Sequence, residues 1–425
     1  MKLWRWVGFL TFFHAALVTA ATEKVVALTS YPQEVITQFE SAFEQAYPQY
    51  RLEIQWRQSR DAITFLHQPH APVDVYWSPA QRNFASLAKQ GAFRQLDINL
   101  SGLPQRIGGF QIADPSGCYT AVEAAGYGMA YHPAELQRLG LPVPQDWKAL
   151  ATPEFDGHVV LPIPSKVGYA PMLVDTLLQG YGWAQGWQIL QKISANAKLA
   201  DAGATFISDD VGSGRVAVGL TMDFFAASAI ANGKPLLFTY PVKVGYSPAH
   251  VAIFSESTHL DAAKAFVTFV LSEQGQKLLF HPDIRKLPIR PSVYANKPAG
   301  YFDPFAAAQR ATYQYDIATG IARQELLGAV FDALITRHHE ALKAMWSALR
   351  IAQQKAPMDK RLQEALQHAY WLPVSAEQSA DETLQRIFFQ RGDDAKKLEQ
   401  QWDIEIAQHY NVAMQIAQNI IKEQP

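Results

Sequence analysis

Hydroxyl side chains end three short apolar runs of this sequence, and their repeated placement is the first sign of chemistry. Ser30, Ser78 and Ser165 each stand between a run typical of a buried strand and a segment with helical periodicity. The N–H groups at a helix N-terminus have no partner inside the helix, so such a turn can bind an anion or a polar ligand. The alternative is that the serine only caps the helix, and for any single turn both interpretations stay open.

The first turn follows the apolar residues 25–28 and carries three candidate ligand-binding residues, Thr29, Ser30 and Tyr31. Apolar side chains then recur at helical spacing, which predicts a strand followed by a helix. We expect Ser30 or Tyr31 at the helix N-cap and Pro32 at the first helical position, where the missing N–H of proline costs nothing.

The second turn repeats this order, since residues 73–77 form a short apolar run and Ser78 with Pro79 is expected to cap the next helix. Ser59 follows another predicted strand, 52–56, and is a further candidate for the same site. Repeated units of this kind predict parallel α/β layers in which several helix N-termini face one crevice.

The third turn consists of Ser165, Lys166, Val167 and Gly168 and follows the apolar run 158–164. The serine hydroxyl, the backbone N–H groups and the lysine ammonium could together hold a phosphate or a carboxylate. A lysine in a solvated loop is the alternative for Lys166, and the sequence leaves both interpretations open.

The composition narrows the classes of function. The chain has 425 residues, enough for two or three domains, and a formal net charge of −2, which gives no indication of a nucleic-acid surface. Cys118 is the single cysteine, so an intramolecular disulfide and a cysteine metal cluster are excluded. The histidines lack the spacing of zinc enzymes, and no P-loop or catalytic constellation is present. We therefore expect no metal site, no cofactor and no enzymatic activity.

The first 21 residues have the composition of a secretory signal. Lys2 and Arg5 supply a positive start, residues 7–18 form a short apolar core, and small residues follow at 19–21. This apolar run is too short for a comfortable membrane span. An exported chain without disulfides is typical of a bacterial periplasm, so we expect a periplasmic protein.

The last third of the chain has a different pattern from the rest. From residue 304 onward the apolar positions follow a helical period, with breaks predicted at Pro357 and at 371–381. The buried positions predicted for these helices are Leu326, Val330, Leu334, Leu342, Met345 and Leu349. The sequence therefore predicts an α/β part followed by a mainly helical region, 281–425.

Short segments between residues 25 and 293 occur in an order that resembles a known family. They are 39–48, 73–77, Gly91, 126–131, 144–147, 152–155, Gly157, 165–168, 265–269 and 272–276. In this order the chain is similar to the periplasmic solute-binding proteins of family 1, the receptors of binding-protein-dependent ABC importers. It is most similar to the branch that contains ferric-ion, phosphonate, sugar-phosphate and phosphoglycerate receptors.

The resemblance implies a type II periplasmic binding protein with two α/β lobes that close on a ligand by hinge motion. Lobe one would comprise residues 22–118 and 246–280, and lobe two would comprise residues 119–245. The C-terminal helices lie outside the usual family pattern and would form an extension.

The resemblance also implies roles for individual residues. Ferric receptors of this family carry two adjacent tyrosines where this chain has Phe224 and Phe225, and phenylalanine has no oxygen that could bind iron. Asp223 remains as a candidate acceptor for a ligand hydroxyl, with a helix-capping role as the alternative. Tyr240 flanks the implied return between the lobes and could line the pocket.

The hydroxyl-rich turns, Lys166 and the absence of the tyrosine pair predict that the ligand is a small oxyanion, a phosphorylated organic acid or a sugar phosphate. We expect the receptor to be a monomer. Its partner would be an inner-membrane permease. The second interpretation is an accessory protein that presents its bound state to a membrane sensor kinase, since residues 387–389 of the C-terminal helices are apolar and could be buried against a partner.

Overall fold

The structure is a computed structural model that describes residues 22–66, 68, 72–107, 110–201, 204–310 and 313–423. Within these ranges, the side chains of residues 59, 60, 110, 204–206 and 310 are not described. The predicted secretory signal, 1–21, therefore lies outside the described residues.

The β-strands of the described part form one large mixed sheet and a separate small pair. They are β1 (Glu23–Thr29), β2 (Tyr50–Trp56), β3 (Val75–Ser78), β4 (Arg106–Ile107), β5 (Phe110–Gln111), β6 (Tyr119–Tyr131), β7 (Val159–Pro162), β8 (Ala197–Ala200), β9 (Val218–Met222), β10 (Leu237–Thr239), β11 (Tyr246–Ile253) and β12 (Leu287–Pro288). The large sheet has the order β2-β1-β3-β11-β6-β9-β7-β8, and β10 and β12 also pair with β6.

The long strand β6 belongs to two halves of this sheet. Its residues 119–126 pair with β11, and its residues 127–131 pair with β9. We call β2, β1, β3, β11 and the first part of β6 the first half-sheet, and the second part of β6 with β9, β7 and β8 the second half-sheet. In the first half-sheet β1 runs parallel to β2 and β3, and in the second half-sheet β7 runs parallel to β8 and β9. Because carboxyl ends of parallel strands share one edge, the turns that follow them are brought together.

Helices cover the sheet and form most of the last third of the chain. They are α1 (Gln33–Ala46), α2 (Ser59–Leu66), α3 (Gln81–Lys89), α4 (Pro133–Leu139), α5 (Ala170–Tyr181), α6 (Trp183–Asn196), α7 (Ala204–Gly212), α8 (Asp223–Ala231), α9 (Leu260–Leu271), α10 (Glu273–Leu278), α11 (Pro304–Arg310), α12 (Ile317–Phe331), α13 (His339–Lys355), α14 (Arg361–Ala369), α15 (Ala376–Ser379), α16 (Glu382–Gln390) and α17 (Asp393–Glu423). None of these helices combines the length and the apolar character that a membrane span requires.

The N-caps predicted for α1 and α3 are wrong. Pro32 occupies the N-cap of α1 and Ala80 the N-cap of α3, and neither helix has a side-chain cap. The hydroxyl of Ser78 instead accepts a hydrogen bond from Ala80 N at 3.3 Å, one residue before the helix begins. This hydroxyl therefore stabilises its own turn rather than capping the helix, as in an ST-turn.

The C-terminal helices share one hydrophobic core with the second half-sheet, to which α12, α13 and α17 contribute many buried side chains. Arg323 of α12 and Asp175 of α5 form a buried ion pair, with Nη2 2.6 Å from Oδ1. Trp183 Nε1 of α6 donates to Val374 O at 2.8 Å. This part of the chain is therefore packed into the protein through both apolar and polar contacts.

Candidate functional site

The turns after β1 and β3 meet, as the sequence predicts. Ser30 Oγ lies 3.0 Å from Ser78 Oγ, because β1 and β3 are adjacent parallel strands. Thr29 Oγ1 accepts a hydrogen bond from Tyr31 N at 3.1 Å, so this hydroxyl already stabilises its own turn. Ser78 is fully buried and Ser30 is half-buried, which leaves Ser30 as the more accessible of the two hydroxyls.

Tyr31 points away from solvent towards a buried ion pair. Its ring centroid lies 4.6 Å from that of Trp77, and only 2% of the residue is exposed. Burial raises the pKa of Tyr31 well above its ordinary value, and the nearby Glu123 raises this pKa further. Glu123 Oε1 on β6 lies 3.1 Å from Lys286 Nζ, just before β12. The phenol therefore stays protonated and can donate a hydrogen bond.

Asp223 is the first residue of α8, which directly follows β9 of the second half-sheet. Its Oδ2 accepts from Gly126 N at 2.7 Å, and its Oδ1 accepts from Phe224 N at 2.7 Å. Burial raises the pKa of this carboxyl to about 6, and the hydrogen bonds and the charge of Lys286 oppose that shift. The Lys286 ammonium lies 3.7 Å from the centroid of the Phe224 ring.

Tyr240 is the remaining polar side chain that contacts Asp223. Its Oη donates to Asp223 Oδ2 at 2.9 Å, and its ring stacks on Phe302 with centroids 3.6 Å apart. Burial raises the pKa of Tyr240 well above its ordinary value, and the charge of Asp223 adds to the shift. We call Tyr31, Glu123, Asp223, Tyr240 and Lys286 the central cluster.

The central cluster lies where the two half-sheets join, and glycine makes the junction possible. A Cβ atom on Gly126 of β6 would come within 2.6 Å of Tyr240 Cε1, which is closer than real contacts allow. The strand therefore needs glycine at this position for Tyr240 to reach Asp223. The cluster offers phenol donors, an ammonium and carboxylate acceptors, which suit recognition of a polar molecule.

The turn at 165–168 lies beside the second half-sheet. The amides of Lys166 and Val167 donate to Ile163 O at 3.0 and 2.9 Å, so these two donors are used within the turn. Val167 is buried, whereas Ser165, Lys166 and Gly168 are exposed. Tyr169 Oη, one residue further on, lies 3.3 Å from Thr221 Oγ1 of β9. The hydroxyl and ammonium of the turn are therefore more available to a ligand than its first amides.

Some site residues escape prediction from sequence. Ser59 begins α2, but its side chain is not described. The sequence does single out Glu123, because it is the one charged residue of β6. Nothing in the sequence singles out Lys286, because its position depends on the pairing of β12 with β6. Among the described residues, no group of three or more His, Cys, Asp or Glu could hold a metal ion.

Known proteins share both sequence and domain features with this chain. Residues 72–299 match the family model for bacterial extracellular solute-binding protein. The phosphoglycerate transport regulatory protein PgtC of Salmonella typhimurium is 30% identical over 263 residues, which is 62% of this chain and 64% of that protein. The match thus spans less than two thirds of the relative's length. An uncharacterized protein of Haemophilus influenzae is 29% identical over 181 residues, 42% of this chain and 51% of that protein.

Solved structures share the fold at low sequence identity. AfuA from Actinobacillus pleuropneumoniae, a periplasmic binding protein with fructose-6-phosphate bound, is 19% identical with a TM-score of 0.54 and covers 76% of this chain and 97% of its own. Iron-bound HitA from Pseudomonas aeruginosa is 16% identical with a TM-score of 0.57, over 72% of this chain and 99% of its own. The architecture is that of two-lobe, type II periplasmic binding proteins, with the C-terminal helices as an addition.

Proposed function

The chain belongs to the family of bacterial extracellular solute-binding proteins, and we propose that it is the periplasmic substrate-binding component of an ABC-type importer. In this proposal, lobe one comprises residues 22–118 and 246–280, and lobe two comprises residues 119–245. The lobes close on a small oxyanion, a phosphorylated organic acid or a sugar phosphate. The protein then delivers this ligand to an inner-membrane permease.

The observation that carries the proposal is the convergence of both half-sheets on the central cluster. Tyr31 comes from the first half-sheet, Asp223 from the second, and Glu123 from the strand that joins them. Because it lies at the junction, the central cluster can bind a ligand in one arrangement of the lobes and release it in another. Ligand binding shifts such an equilibrium only by the difference in affinity for the two arrangements.

The two ends of the proposed ligand have different partners. Asp223 already accepts three hydrogen bonds, and a carboxylate has about four acceptor positions, so one position can accept a ligand hydroxyl. The phosphate end is assigned to the Ser30–Ser78 pair, to Ser165 and to the exposed Lys166. A relative named for phosphoglycerate transport and a structural neighbour with fructose-6-phosphate bound support a phosphorylated ligand.

Thermal-shift measurements test the cargo. The panel contains 3-phosphoglycerate, fructose 6-phosphate, inorganic phosphate, glycerate, fructose and ferric ion. A phosphorylated compound at about 100 times its Kd should stabilise the protein by about 2.7 kcal/mol. Asp223→Asn should weaken this response, whereas Asp97→Asn, an exposed carboxylate with 91% of its side chain accessible, should not. A response to the neutral sugar or the cation, with none to any phosphorylated compound, would reject the assignment.

A second candidate function is ligand sensing through the C-terminal helices. Glu325 of α12 lies 3.4 Å from Arg82 of α3, and Arg82 lies 5.6 Å from the ring centroid of Phe389. A change between the first half-sheet and these helices would therefore alter a surface that includes Phe389, which is 62% exposed. Phe388, in contrast, is buried against Trp402, so the predicted apolar surface at 387–389 is reduced mainly to Phe389.

The two functions differ in what Phe389 does. In the sensing function, Phe389→Ser leaves ligand binding intact and abolishes activation of a membrane kinase in cells. In the import function, the same variant takes up ligand as the wild type does. A neighbouring gene for a kinase, rather than for a permease and an ATPase, would also favour sensing.

A further inference from the structure

A cavity that shares no lining residue with the central cluster lies between α6 and the helices α13 and α14. Its volume is about 570 Å³, within the range of about 300–1,000 Å³ found for small-molecule sites. Much of its wall is apolar or aromatic: Ala151, Pro153, Ala195, Trp346, Leu349, Leu362, Leu366 and Tyr370. The C-terminal helices supply most of these residues, so the cavity is a feature of the helical addition.

The charged residues at this cavity are mainly cationic. Lys192, Arg350 and Lys360 line it, and Asp359 is the one acidic residue among the lining residues. Arg361 Nη2 lies 2.7 Å from Asp359 Oδ2, so this carboxylate is already paired. Arg350 is partly engaged, because its Nη1 donates to Asn196 Oδ1 at 2.9 Å.

Lys192 is held at the cavity by aromatic rings rather than by a carboxylate. Its Nζ lies 5.1 Å from the centroid of the Trp346 ring and 5.4 Å from that of Tyr370. Within the described ranges, no carboxylate forms an ion pair with Lys192. Two ring contacts fix the ammonium in place without neutralising it, which leaves its charge available to an anion.

Trp346 forms part of the cavity wall. Only 5% of this residue is exposed, and in the part of the chain that the structure describes its Nε1 has no hydrogen-bond acceptor. This nitrogen has almost no accessible surface, so a ligand in the cavity can contact the Trp346 ring but not its N–H.

We propose that this cavity binds a small organic anion with a flat apolar body, such as an aromatic carboxylate or sulfonate. The ammonium of Lys192 pairs with the anionic group, and the side chains of Leu349, Leu362 and Leu366 contact the apolar body. This ligand differs in chemistry from the polar solute proposed for the central cluster, and the site gives the helical addition a binding function of its own.

The test is a fluorescence titration of the full chain with 1-anilinonaphthalene-8-sulfonate, compared with uncharged N-phenyl-1-naphthylamine. We expect saturable binding of the sulfonate at one site, at least tenfold tighter than binding of the uncharged probe. Lys192→Gln should weaken sulfonate binding at least tenfold and change binding of the uncharged probe less than twofold. Lys397→Gln, which removes the same charge from an exposed position on α17, is the matched control and should change neither.

Two further variants distinguish binding in this cavity from binding elsewhere on the protein. Leu349→Trp fills the cavity and should abolish binding of both probes, while Asp223→Asn in the central cluster should leave sulfonate binding unchanged. Circular dichroism melting identifies any variant that fails to fold, and Lys192→Gln, which changes no buried apolar group, then remains decisive. Equal sulfonate affinity in the wild type and Lys192→Gln, or equal affinity for the two probes, would overturn the proposal.

Discussion

Lys286 Nζ and Glu123 Oε1 lie 3.1 Å apart at the junction of the two half-sheets, with 10% and 3% of their side chains exposed. Such a pair gains little net stability over apolar residues, because both charges lose their hydration. Removing one partner is much more costly, since it leaves the other charge buried without compensation. The pair lies beside Tyr31 and Asp223, and under the proposed function its charges contribute to the ligand site.

The first prediction concerns the stability of this ion pair. Lys286→Met should lower the free energy of unfolding by about 3–5 kcal/mol, because Glu123 then remains buried alone. Glu123→Leu combined with Lys286→Met should restore most of that loss. Lys24→Met is the control, because Lys24 pairs with Glu53 at the surface, where such a pair contributes less than about 1 kcal/mol. Urea unfolding measures all three, and equal losses for Lys286→Met and Lys24→Met would contradict the prediction.

The second prediction concerns the backbone at the junction. Gly126→Ala should displace Tyr240, because the new Cβ would lie 2.6 Å from Tyr240 Cε1 and 3.3 Å from Asp223 Oδ2. The hydrogen bond between Tyr240 and Asp223 is then lost, and the thermal shift produced by the ligand should fall. Gly392→Ala is the matched control, because its Cβ would meet no atom within 4 Å. An unchanged ligand response in Gly126→Ala would show that Tyr240 does not shape the site.

The third prediction concerns the pH dependence contributed by Asp223. Burial raises its pKa from an ordinary value of 3.8 to about 6, so between these values the folded protein binds more protons than the unfolded chain. The free energy of unfolding must then fall as the pH rises through this window. Two pKa units correspond to about 3 kcal/mol. Part of this change occurs below pH 4, so the wild type should lose about 2 kcal/mol of stability relative to Asp223→Asn between pH 4 and pH 7, measured by urea unfolding. A constant difference between the two proteins would contradict the raised pKa.

The elements with long amphipathic patterns are predictable from sequence. Val35, Ile36, Phe39 and Phe43 recur at helical spacing, and all four are buried on α1. The six positions predicted on the C-terminal helices, Leu326, Val330, Leu334, Leu342, Met345 and Leu349, are buried as well. Periodicity succeeds here because burial of one face stabilises these helices more than local propensity does.

Element ends are harder to predict because local hydrogen bonds decide them. The apolar spacing of residues 261–280 predicts a single helix. In the structure α9 ends at Leu271 and Ser272 caps α10, with its Oγ accepting from Gly275 N at 3.1 Å. The spacing of residues 181–200 also predicts a single amphipathic helix, but 197–200 form β8, which pairs with β7. A sheet partner from a distant part of the chain overrides local periodicity there.

Some residues of the candidate site can be predicted from the sequence, and others cannot. Tyr31, Asp223 and Tyr240 can be anticipated because they follow strands, and strand ends collect at one edge of a sheet. Lys286 reaches the site only because Leu287 and Pro288 pair with Ala124 and Glu123 of β6. A lysine in a segment without hydrophobic period carries no sign of such a contact, so only the tertiary structure reveals it.

The last prediction concerns His250 of β11, which is buried between Phe84 and Tyr119, with ring centroids 5.3 and 5.2 Å away. Burial lowers its pKa from an ordinary value of 6.5 to about 3, so below pH 6.5 the unfolded chain binds the extra proton. The free energy of unfolding must then fall as the pH falls, opposite in sign to the effect of Asp223. Between pH 6.5 and 4.5 the wild type should lose about 2 kcal/mol relative to His250→Leu, measured by urea unfolding. His281→Leu, at a partly exposed position, is the control, and parallel pH profiles of the wild type and His250→Leu would show that His250 is not held neutral by burial.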